Sequence, residues 1–193
     1  MKNNLLSWIN KNRDPNIAPN LKRLFAFIID YFIGSIFVSF IPMILVSIIT
    51  QEKVITVNLM KTIPFDMQLI CCIVSIVLAV YYYCIIPLNP THLGQTLGKR
   101  IMKIKVVKMN GSNITLTDIL KREILGAMLI EGETTFPSAY FRNILYQFMP
   151  AFLSQALGWL SIIISIISIV VGYLGINHRM IHDFIADTKV IKA

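Results

Sequence analysis

An apolar run near the start of the sequence constrains the fold more than any other feature. The run extends from Leu24 to Ile49 (LFAFIIDYFIGSIFVSFIPMILVSII) and contains one charged residue, Asp30. About 20 apolar residues in a helix are enough to cross the hydrocarbon core of a bilayer. The run is also longer than the roughly 7–15-residue apolar part of a signal peptide, and no small-residue cleavage site follows it. It therefore predicts a permanent membrane-spanning helix, tilted or kinked near Pro42.

Two further apolar runs, Leu69–Leu88 and Trp159–Ile176, predict two more spans. Hydrophobic residues make up 55% of the chain and charged residues 15%, whereas a soluble domain usually carries about 25% charged residues. This composition excludes an ordinary water-soluble enzyme, a disordered chain and a disulfide scaffold. The three cysteines, Cys71, Cys72 and Cys84, all lie in the second run, and we expect them to be small apolar residues of that span.

Residues 118–136 are a weaker candidate span, because Lys121, Arg122 and Glu123 precede the apolar part. Taken alone, the segment is typical of an amphipathic helix at the membrane interface. The distribution of basic residues favours a span instead. With four spans, 15 Lys and Arg residues fall on one side of the membrane and 3 on the other, whereas three spans give 13 and 5. Because basic residues accumulate in cytoplasmic loops, we expect four spans with both termini in the cytoplasm.

The expected fold is an all-α membrane protein with about four transmembrane helices, a small cytoplasmic β-hairpin and an outer interfacial helix over residues 139–156. Residues 1–23 form a basic cytoplasmic segment, and residues 24–191 form one membrane domain. The predicted spans cover about residues 24–50, 68–88, 118–136 and 157–176, and residues 89–117 form a cytoplasmic loop.

The cytoplasmic loop carries the signals of a hairpin. Residues 101–109 (IMKIKVVKM) are short and rich in β-branched side chains, which predicts a strand. Asn110-Gly111 is a strong signal for a two-residue turn, because both positions tolerate a positive φ, and residues 112–116 can return as a second strand. Thr115 to Asp118 has the spacing of a capping box, which predicts the start of the next helix. The tail, residues 187–193, is a candidate third strand.

Asp30 and Arg23 are the first candidates for a functional site. They are two helical turns apart, so they lie on nearly the same face of the first span. An ionisable side chain inside a span costs about 2.5–3.5 kcal/mol to insert, so we expect Asp30 to face a partner or a wet cavity. One interpretation is an ion or proton site, and the other is an ion pair that holds two spans together. Arg122 and Glu123 either reach to the interface or complete a polar cluster with Asp30.

Other charged residues have simpler expected roles. Glu131 and Glu133 are expected at the outer surface. His178 and His182 are four residues apart, a spacing that can ligate a metal from a helix, but no third ligand accompanies them. We therefore expect no metal, and we expect Arg179, His182 and Asp183 to cap the last span and hydrogen-bond to the basic loop.

Residues 94–100 (GQTLGKR) resemble a phosphate-binding loop only partly. Three residues separate the two glycines instead of four, and Arg100 stands where a Ser or Thr would bind magnesium. This departure argues against nucleotide hydrolysis. No Ser/His/Asp set, Cys/His set or carboxylate pair has the spacing of a catalytic site, so we expect neither an enzyme nor a cofactor.

Three segments together resemble the signature blocks of the RDD family of bacterial membrane proteins. They are LKRLFAFIIDYFI (21–33), HLGQTLGKRIMKIKVVKMNGSNITLTDILKREILG (92–126) and HRMIHDFIADTKVI (178–191). The family is named for an Arg and an Asp in its first span and an Asp after its last, which fall on Arg23, Asp30 and Asp183. The most specific block is the loop motif, which comprises Gly94, Thr96, Gly98, Lys99 and Arg100 and the following turn glycine, Gly111. One departure is Asp187, which stands where many members have glycine.

The resemblance implies a multi-pass protein of the cytoplasmic membrane, usually supposed to be a transporter, for which sodium/proton antiport has been suggested. Under this hypothesis Asp30 is the titrating or cation-binding carboxylate, Arg23 and Asp183 are gate or counter-charges, and a homo-oligomer completes the pathway. The alternative is an accessory or regulatory membrane protein whose basic loop binds anionic lipid headgroups or a partner protein. Because the spans offer few polar groups besides serines, a small cation or proton is a better substrate than a sugar. No nucleic-acid partner is expected.

Overall fold

The computed structural model describes residues 14–51, 63–132 and 136–193. Its elements, in chain order, are α1 (Asn20–Thr50), α2 (Phe65–Leu88), α3 (Leu97–Ile101), β1 (Ile104–Lys108), α4 (residues 116–130), α5 (Phe136–Gln147), α6 (Ala151–Leu174), α7 (Ile181–Ile185) and β2 (Thr188–Lys192). Within the described residues, α1, α2 and α6 are long and apolar enough to cross a membrane. The three apolar runs therefore form the expected helices, and α6 begins six residues earlier than predicted because Pro150 precedes its first turn.

A π-helical turn in α1, over Ile36–Phe40, lies just before Pro42, the residue near which the sequence predicts a tilt or kink. Proline has no backbone N–H, so the carbonyl four residues earlier loses its usual helical partner. That carbonyl belongs to Val38, and the Ser75 hydroxyl of α2 donates a hydrogen bond to it at 2.5 Å. A serine of the neighbouring helix thus satisfies the carbonyl that the proline leaves open, and it fixes α2 against α1.

The small sheet joins the loop to the tail. β1 and β2 pair antiparallel, with Val106 opposite Val190. The segment before α1 adds a bridge between Ile17 and Ile191, and the backbone N–H of Ala18 donates to the Val190 carbonyl. The segment before α1, the loop and the tail therefore meet at one end of the helices, called here the sheet end.

The chain turns at the predicted place, but neither the predicted two-residue turn nor the second strand forms. Gly111 has a φ of +86° and donates to the Lys108 carbonyl, whereas Asn110 does not have the positive φ that the predicted turn requires. Residues 112–115 form no strand. The predicted capping box between Thr115 and Asp118 begins α4 directly after them. The tail strand, predicted as a third member, is the partner of β1 instead.

Residues 116–147 carry the chain from the sheet end to the opposite end in two pieces. Ile119 of α4 packs into the cluster that covers the sheet. At the other end, the ring of Phe148, just after α5, packs edge to face on Phe65 in the first turn of α2, with 5.8 Å between centroids. Between these ends the helix is broken, since α4 stops at Ile130 and α5 begins at Phe136.

This break differs from two predictions. The helix predicted over 118–136 ends at Ile130 and is not among the three long apolar helices. The outer helix predicted over 139–156 is split as well, since α5 packs along α2 and Pro150 begins α6. Glu131, expected at the outer surface, is buried at the break with 6% of its surface exposed, and Glu133 lies outside the described residues.

Two apolar clusters hold the elements together. The cluster at the sheet end combines residues of α1, α2, α4, both strands and the segments just before α1 and α4, namely Ala18, Ala26, Cys84, Ile104, Val106, Ile114, Ile119 and Val190. The second cluster, nearer the opposite end, includes Val46, Cys71 and Cys72, with Phe141 and Ile144 of α5 packed against it. All three cysteines are buried and free, as expected for apolar side chains.

Candidate functional site

Asp30 of α1 is enclosed by neutral hydrogen-bond donors. Its side chain is buried, with 4% of the residue exposed. Oδ1 accepts hydrogen bonds from the Tyr82 hydroxyl and the Gly98 backbone N–H, both at 2.8 Å. Oδ2 accepts one from the Thr96 hydroxyl at 2.5 Å. Within the described residues, no Lys or Arg nitrogen lies within ion-pair distance of this carboxylate.

The loop motif is shaped to reach this carboxylate. Gly98 lies so close to α1 that a Cβ there would collide with the Ala26 carbonyl oxygen and come within 2.8 Å of the Asp30 Cγ. Gly94 has a φ of +78°, a conformation that favours glycine, and its carbonyl accepts from the Val106 backbone N–H at 2.9 Å. Gly94 thus directs the loop toward the sheet, and Gly98 allows α3 to contact α1.

Lys99 lies beside the Asp30 site. Its Nζ is 3.4 Å from the Thr96 hydroxyl that donates to Asp30. Burial lowers the pKa of Lys99, and the nearby Arg122 guanidinium lowers it further, while the carboxylates around it, including Asp30, act in the opposite direction. The side chain is therefore a buried amine between the Asp30 site and a second polar cluster. Arg100, the next residue, has a buried Nε with no hydrogen-bond partner in the described part of the chain.

The second cluster is centred on Asp183 of α7, which is fully buried. Arg23 of α1 forms a salt bridge with its Oδ2 at 2.8 Å, and Arg122 of α4 forms one with its Oδ1 at 3.0 Å. Although burial opposes ionisation, the guanidinium of Arg122, then His182 and Arg23, hold the pKa of Asp183 well below its usual range. One carboxylate therefore clamps three separate elements together at the sheet end.

The cluster continues from Arg122 in two directions. Its NH1 pairs with Glu123 at 2.7 Å, and its NH2 lies 3.0 Å from Nε2 of His182. Nδ1 of His182 lies 2.9 Å from Oε2 of Glu131. A continuous polar chain thus extends from α1 through α4 and α7 to the break between α4 and α5.

The candidates from the sequence therefore fall into two neighbouring groups. Asp30 meets Thr96, Gly98 and Lys99 of the loop motif, while Arg23, Arg122, Glu123, His182 and Asp183 form the second cluster. One alternative from the sequence, a polar cluster that Arg122 and Glu123 complete, is found around Asp183 rather than around Asp30, and Arg23 is also bound to Asp183. Gly111 lies apart, in the exposed turn.

Two members of the site are not among the sequence candidates. Tyr82 lies in a triple-tyrosine run that is typical of a membrane interface, and nothing in that run singles out the residue that meets Asp30. A sequence pattern in α6 could have indicated a buried partner such as Glu131. Three serines that are all buried, Ser161, Ser165 and Ser168, recur on one face of that helix. A buried polar stripe of this kind calls for a polar partner, and Ser168 donates to Glu131 at 2.6 Å.

The same region has cavities but no metal cluster. A cavity of about 110 Å³ between α2 and α4 is mainly apolar and reaches Tyr83 and Glu123. A second, smaller cavity is lined by Tyr83, Glu123, Lys99 and Arg122. In residues 14–51, 63–132 and 136–193, no group of three His, Cys, Asp or Glu side chains could hold a metal ion.

Comparison with known proteins identifies the family of this chain. The model of the RDD family matches residues 17–187, which is most of the chain. The chain belongs to the RDD family. Searches of curated proteins and of solved structures gave no match. In this RDD protein the characteristic Arg23 and Asp183 are joined by a salt bridge, whereas Asp30 is bound by the loop motif.

A departure from the usual RDD pattern has a structural counterpart. Asp187, where the resemblance leads us to expect glycine, adopts a φ of +47°. This left-handed conformation favours glycine, and aspartate is among the few other residues that tolerate it. The turn is retained, and the Asp187 carboxylate pairs with Arg179 at 3.1 Å.

Proposed function

We propose that this RDD protein is a multi-pass protein of the cytoplasmic membrane that exchanges a small cation for protons, with Asp30 as the cation-binding carboxylate. The sheet end faces the cytoplasm in this proposal. Three observations support it. The segment before α1, the loop and the tail share one sheet, the direct hydrogen-bond donors to Asp30 are neutral, and the groups around Asp30 offer oxygen atoms.

The connectivity supports an even number of crossings. The segment before α1, the loop and the tail share one sheet, so they lie on the same side of any membrane that the helices cross. Three crossings would leave the tail on the other side. The pair α4 and α5 supplies the missing crossing, because it starts beside the sheet and ends at the first turn of α2. Discontinuous helices of this kind occur around the binding sites of transporters.

The single observation that carries the proposal is that the direct hydrogen-bond donors to Asp30 are all neutral. A carboxylate inside a membrane span is costly to keep charged unless a cation neutralises it. The arginines nearby are bound to Asp183, and the direct donors to Asp30 are two hydroxyls and one backbone N–H. Lys99 contacts the Thr96 hydroxyl rather than the carboxylate itself, so a bound small cation or a proton would be the directly contacting positive charge of this site.

The donor atoms suit a small hard cation. Such ions are bound by carboxylate, hydroxyl and carbonyl oxygens, and the Tyr82 and Thr96 hydroxyl oxygens lie within hydrogen-bond distance of the two Asp30 carboxylate oxygens. A polar solute such as a sugar would need a wide polar cavity. The larger cavity, of about 110 Å³, is instead mainly apolar, so an ion is the better substrate.

The test is ion flux in proteoliposomes that contain only the purified protein and a pH-sensitive dye. An imposed sodium or potassium gradient should drive an opposite movement of protons, above the rate in protein-free liposomes. Equal rates in the two preparations, with the protein shown to be folded and inserted, would refute the transport proposal. That outcome would favour the accessory role, which is checked by binding to vesicles with and without anionic lipid.

A further inference from the structure

Lys99 is a cationic side chain beside the Asp30 site that has no acidic partner of its own. Its Nζ lies 3.4 Å from the Thr96 hydroxyl, and that hydroxyl donates a hydrogen bond to Oδ2 of Asp30. Within the described residues, no carboxylate oxygen lies within ion-pair distance of Lys99. The charge of Lys99 therefore lies one hydroxyl away from the carboxylate of Asp30.

Two arginines of the neighbouring cluster are already paired. Arg23 and Arg122 both form salt bridges with the buried Asp183, and these salt bridges fix the positions of the two guanidinium groups. Lysine differs from them, because its ammonium is a compact charge at the end of a flexible four-carbon chain. Lys99 can therefore move in response to a change of charge at Asp30, while the two arginines stay in place.

The smaller cavity gives the Lys99 ammonium a second position. This cavity of about 10 Å³ is lined by Lys99, Tyr83, Arg122 and Glu123, among others, and Asp30 is not part of its lining. Its volume is close to the lower limit for one water molecule, and an ammonium group is of similar size. The end of the Lys99 side chain can therefore move into this cavity, toward Glu123 and away from Asp30.

The charge of the second cluster favours this movement. The charged side chains that direct contacts join are three carboxylates and two guanidinium groups, namely Asp183, Glu123, Glu131, Arg23 and Arg122. With the ring of His182 uncharged, they sum to −1. An ammonium that moves toward Glu123 brings this sum to zero. Asp30 and the second cluster thus each lack one positive charge, and Lys99 supplies one of the two.

We propose that Lys99 restricts the Asp30 site to cations that carry a single charge. In the empty site the ammonium faces Asp30, and when a cation binds it withdraws toward Glu123. A monovalent cation then neutralises Asp30 while Lys99 neutralises the second cluster. A divalent cation would leave one surplus positive charge in a buried site and would repel the ammonium twice as strongly. This inference rests on the proposed cation site at Asp30 and names the residue that selects its substrate.

The direct donor atoms at Asp30 do not make this selection by themselves. Carboxylate and hydroxyl oxygens, such as those of Asp30, Thr96 and Tyr82, bind Ca²⁺ as well as Na⁺. The two ions have similar sizes and differ in charge. A comparison of Na⁺ with Ca²⁺ therefore isolates the effect of charge, which in this site depends on Lys99.

The test is the melting temperature of the full-length protein in detergent, measured against increasing NaCl or CaCl₂ with choline chloride to hold the ionic strength constant. The measurement is made at about pH 7.5, where an ordinary lysine is charged and an ordinary imidazole is mostly neutral. An ion that binds the folded protein raises its melting temperature. Na⁺ should therefore stabilise the wild type, and Ca²⁺ should not.

The variants of Lys99 should change the response to Ca²⁺. In Lys99→Met, Ca²⁺ should also raise the melting temperature, with an apparent Kd at least about tenfold lower than in the wild type. Lys99→Arg keeps the charge and should still exclude Ca²⁺. Lys103→Met, which removes an exposed lysine of the same loop, should respond as the wild type does. Addition of Asp30→Asn to Lys99→Met should abolish the Ca²⁺ response, which would locate the bound ion at Asp30.

The outcomes separate the role of Lys99 from the transport function. A wild type that Ca²⁺ stabilises as well as Na⁺ does would overturn the inference, and so would a Lys99→Met variant that responds to the two ions as the wild type does. Lys99→Gln takes the place of Lys99→Met if the methionine variant fails to fold. Selective Na⁺ binding without flux in the wild type would refute the exchange alone. Flux in the wild type with unchanged selectivity in the Lys99 variants would refute the role of Lys99 alone.

Discussion

Replacement of Asp183 by asparagine should strongly destabilise the fold. Its two carboxylate oxygens bind Arg23 at 2.8 Å and Arg122 at 3.0 Å, and the side chain is fully buried. The amide keeps the shape but offers one acceptor oxygen, and its NH2 group would face a guanidinium. Removing one partner of a buried ion pair costs about 3–5 kcal/mol. At about 2–4 °C per kcal/mol for a chain of this size, the melting temperature should fall by about 6–20 °C.

The assay is a thermal melt of purified protein in detergent, with Asp187→Asn as the matched control. Asp187 also pairs with an arginine of the tail, but its side chain is 78% exposed. Exposed pairs contribute about 0–1 kcal/mol, so the control should melt within a few degrees of the wild type. Equal melting temperatures for the two variants would refute the view that Asp183 clamps the elements together.

The contribution of the Asp183 carboxylate to the stability of the fold should decrease at acid pH. The pKa of Asp183 is held well below its usual range in the folded protein. Its contribution to stability is therefore fully present at neutral pH and is lost as the pH falls below the unfolded pKa of about 3.9. The difference in melting temperature between wild type and Asp183→Asn should narrow in that acid range. A difference that stays constant down to about pH 2 would contradict the assignment.

Two further predictions concern packing and topology. Gly98→Ala should lower the melting temperature and abolish flux, because its Cβ would collide with α1. Gly111 has open space around it and a φ of +86°, so Gly111→Ala should lower the stability by only about 1–2 kcal/mol. Equal losses of stability in the two variants would contradict the close approach of α3 to α1. Single cysteines at three exposed positions, Gln51, Ser112 and Lys192, should be labelled by an impermeant reagent in intact cells only at the first, since the native cysteines are buried. External labelling at the tail position would refute an even number of crossings.

The sequence predicts the long helices well because length and hydropathy decide them. The three apolar runs and the capping box at Thr115 depend on nearby residues, and each is present in the structure. The tail strand was also expected. The turn at Gly111 forms without the positive φ predicted for Asn110, and α6 begins six residues before the predicted span. Local chemistry therefore predicts that these elements exist better than it predicts where they begin and end.

The errors concern partners that are distant in sequence. Residues 112–116 and the tail are both plausible partners for β1, and only the three-dimensional arrangement selects the tail. The break after Ile130 is not marked by proline, and the contacts of Glu131 with α6 and α7 explain why the chain turns inward there. The separation of Asp30 from the arginines likewise follows from the position of Asp183, far along the chain.

The most direct test of the central claim is to measure cation-driven proton movement in proteoliposomes that contain the Asp30→Asn variant. The control is Asp66→Asn, which changes an exposed carboxylate in the first turn of α2. Asparagine should fit the site, because its oxygen can accept from Tyr82 and Gly98, while the Thr96 hydroxyl can turn to accept from the amide. We therefore expect a folded, inserted variant that has lost cation-driven proton movement, with the control at the wild-type rate. A folded Asp30→Asn variant that still moves protons at the wild-type rate would contradict the claim that this carboxylate binds the ion.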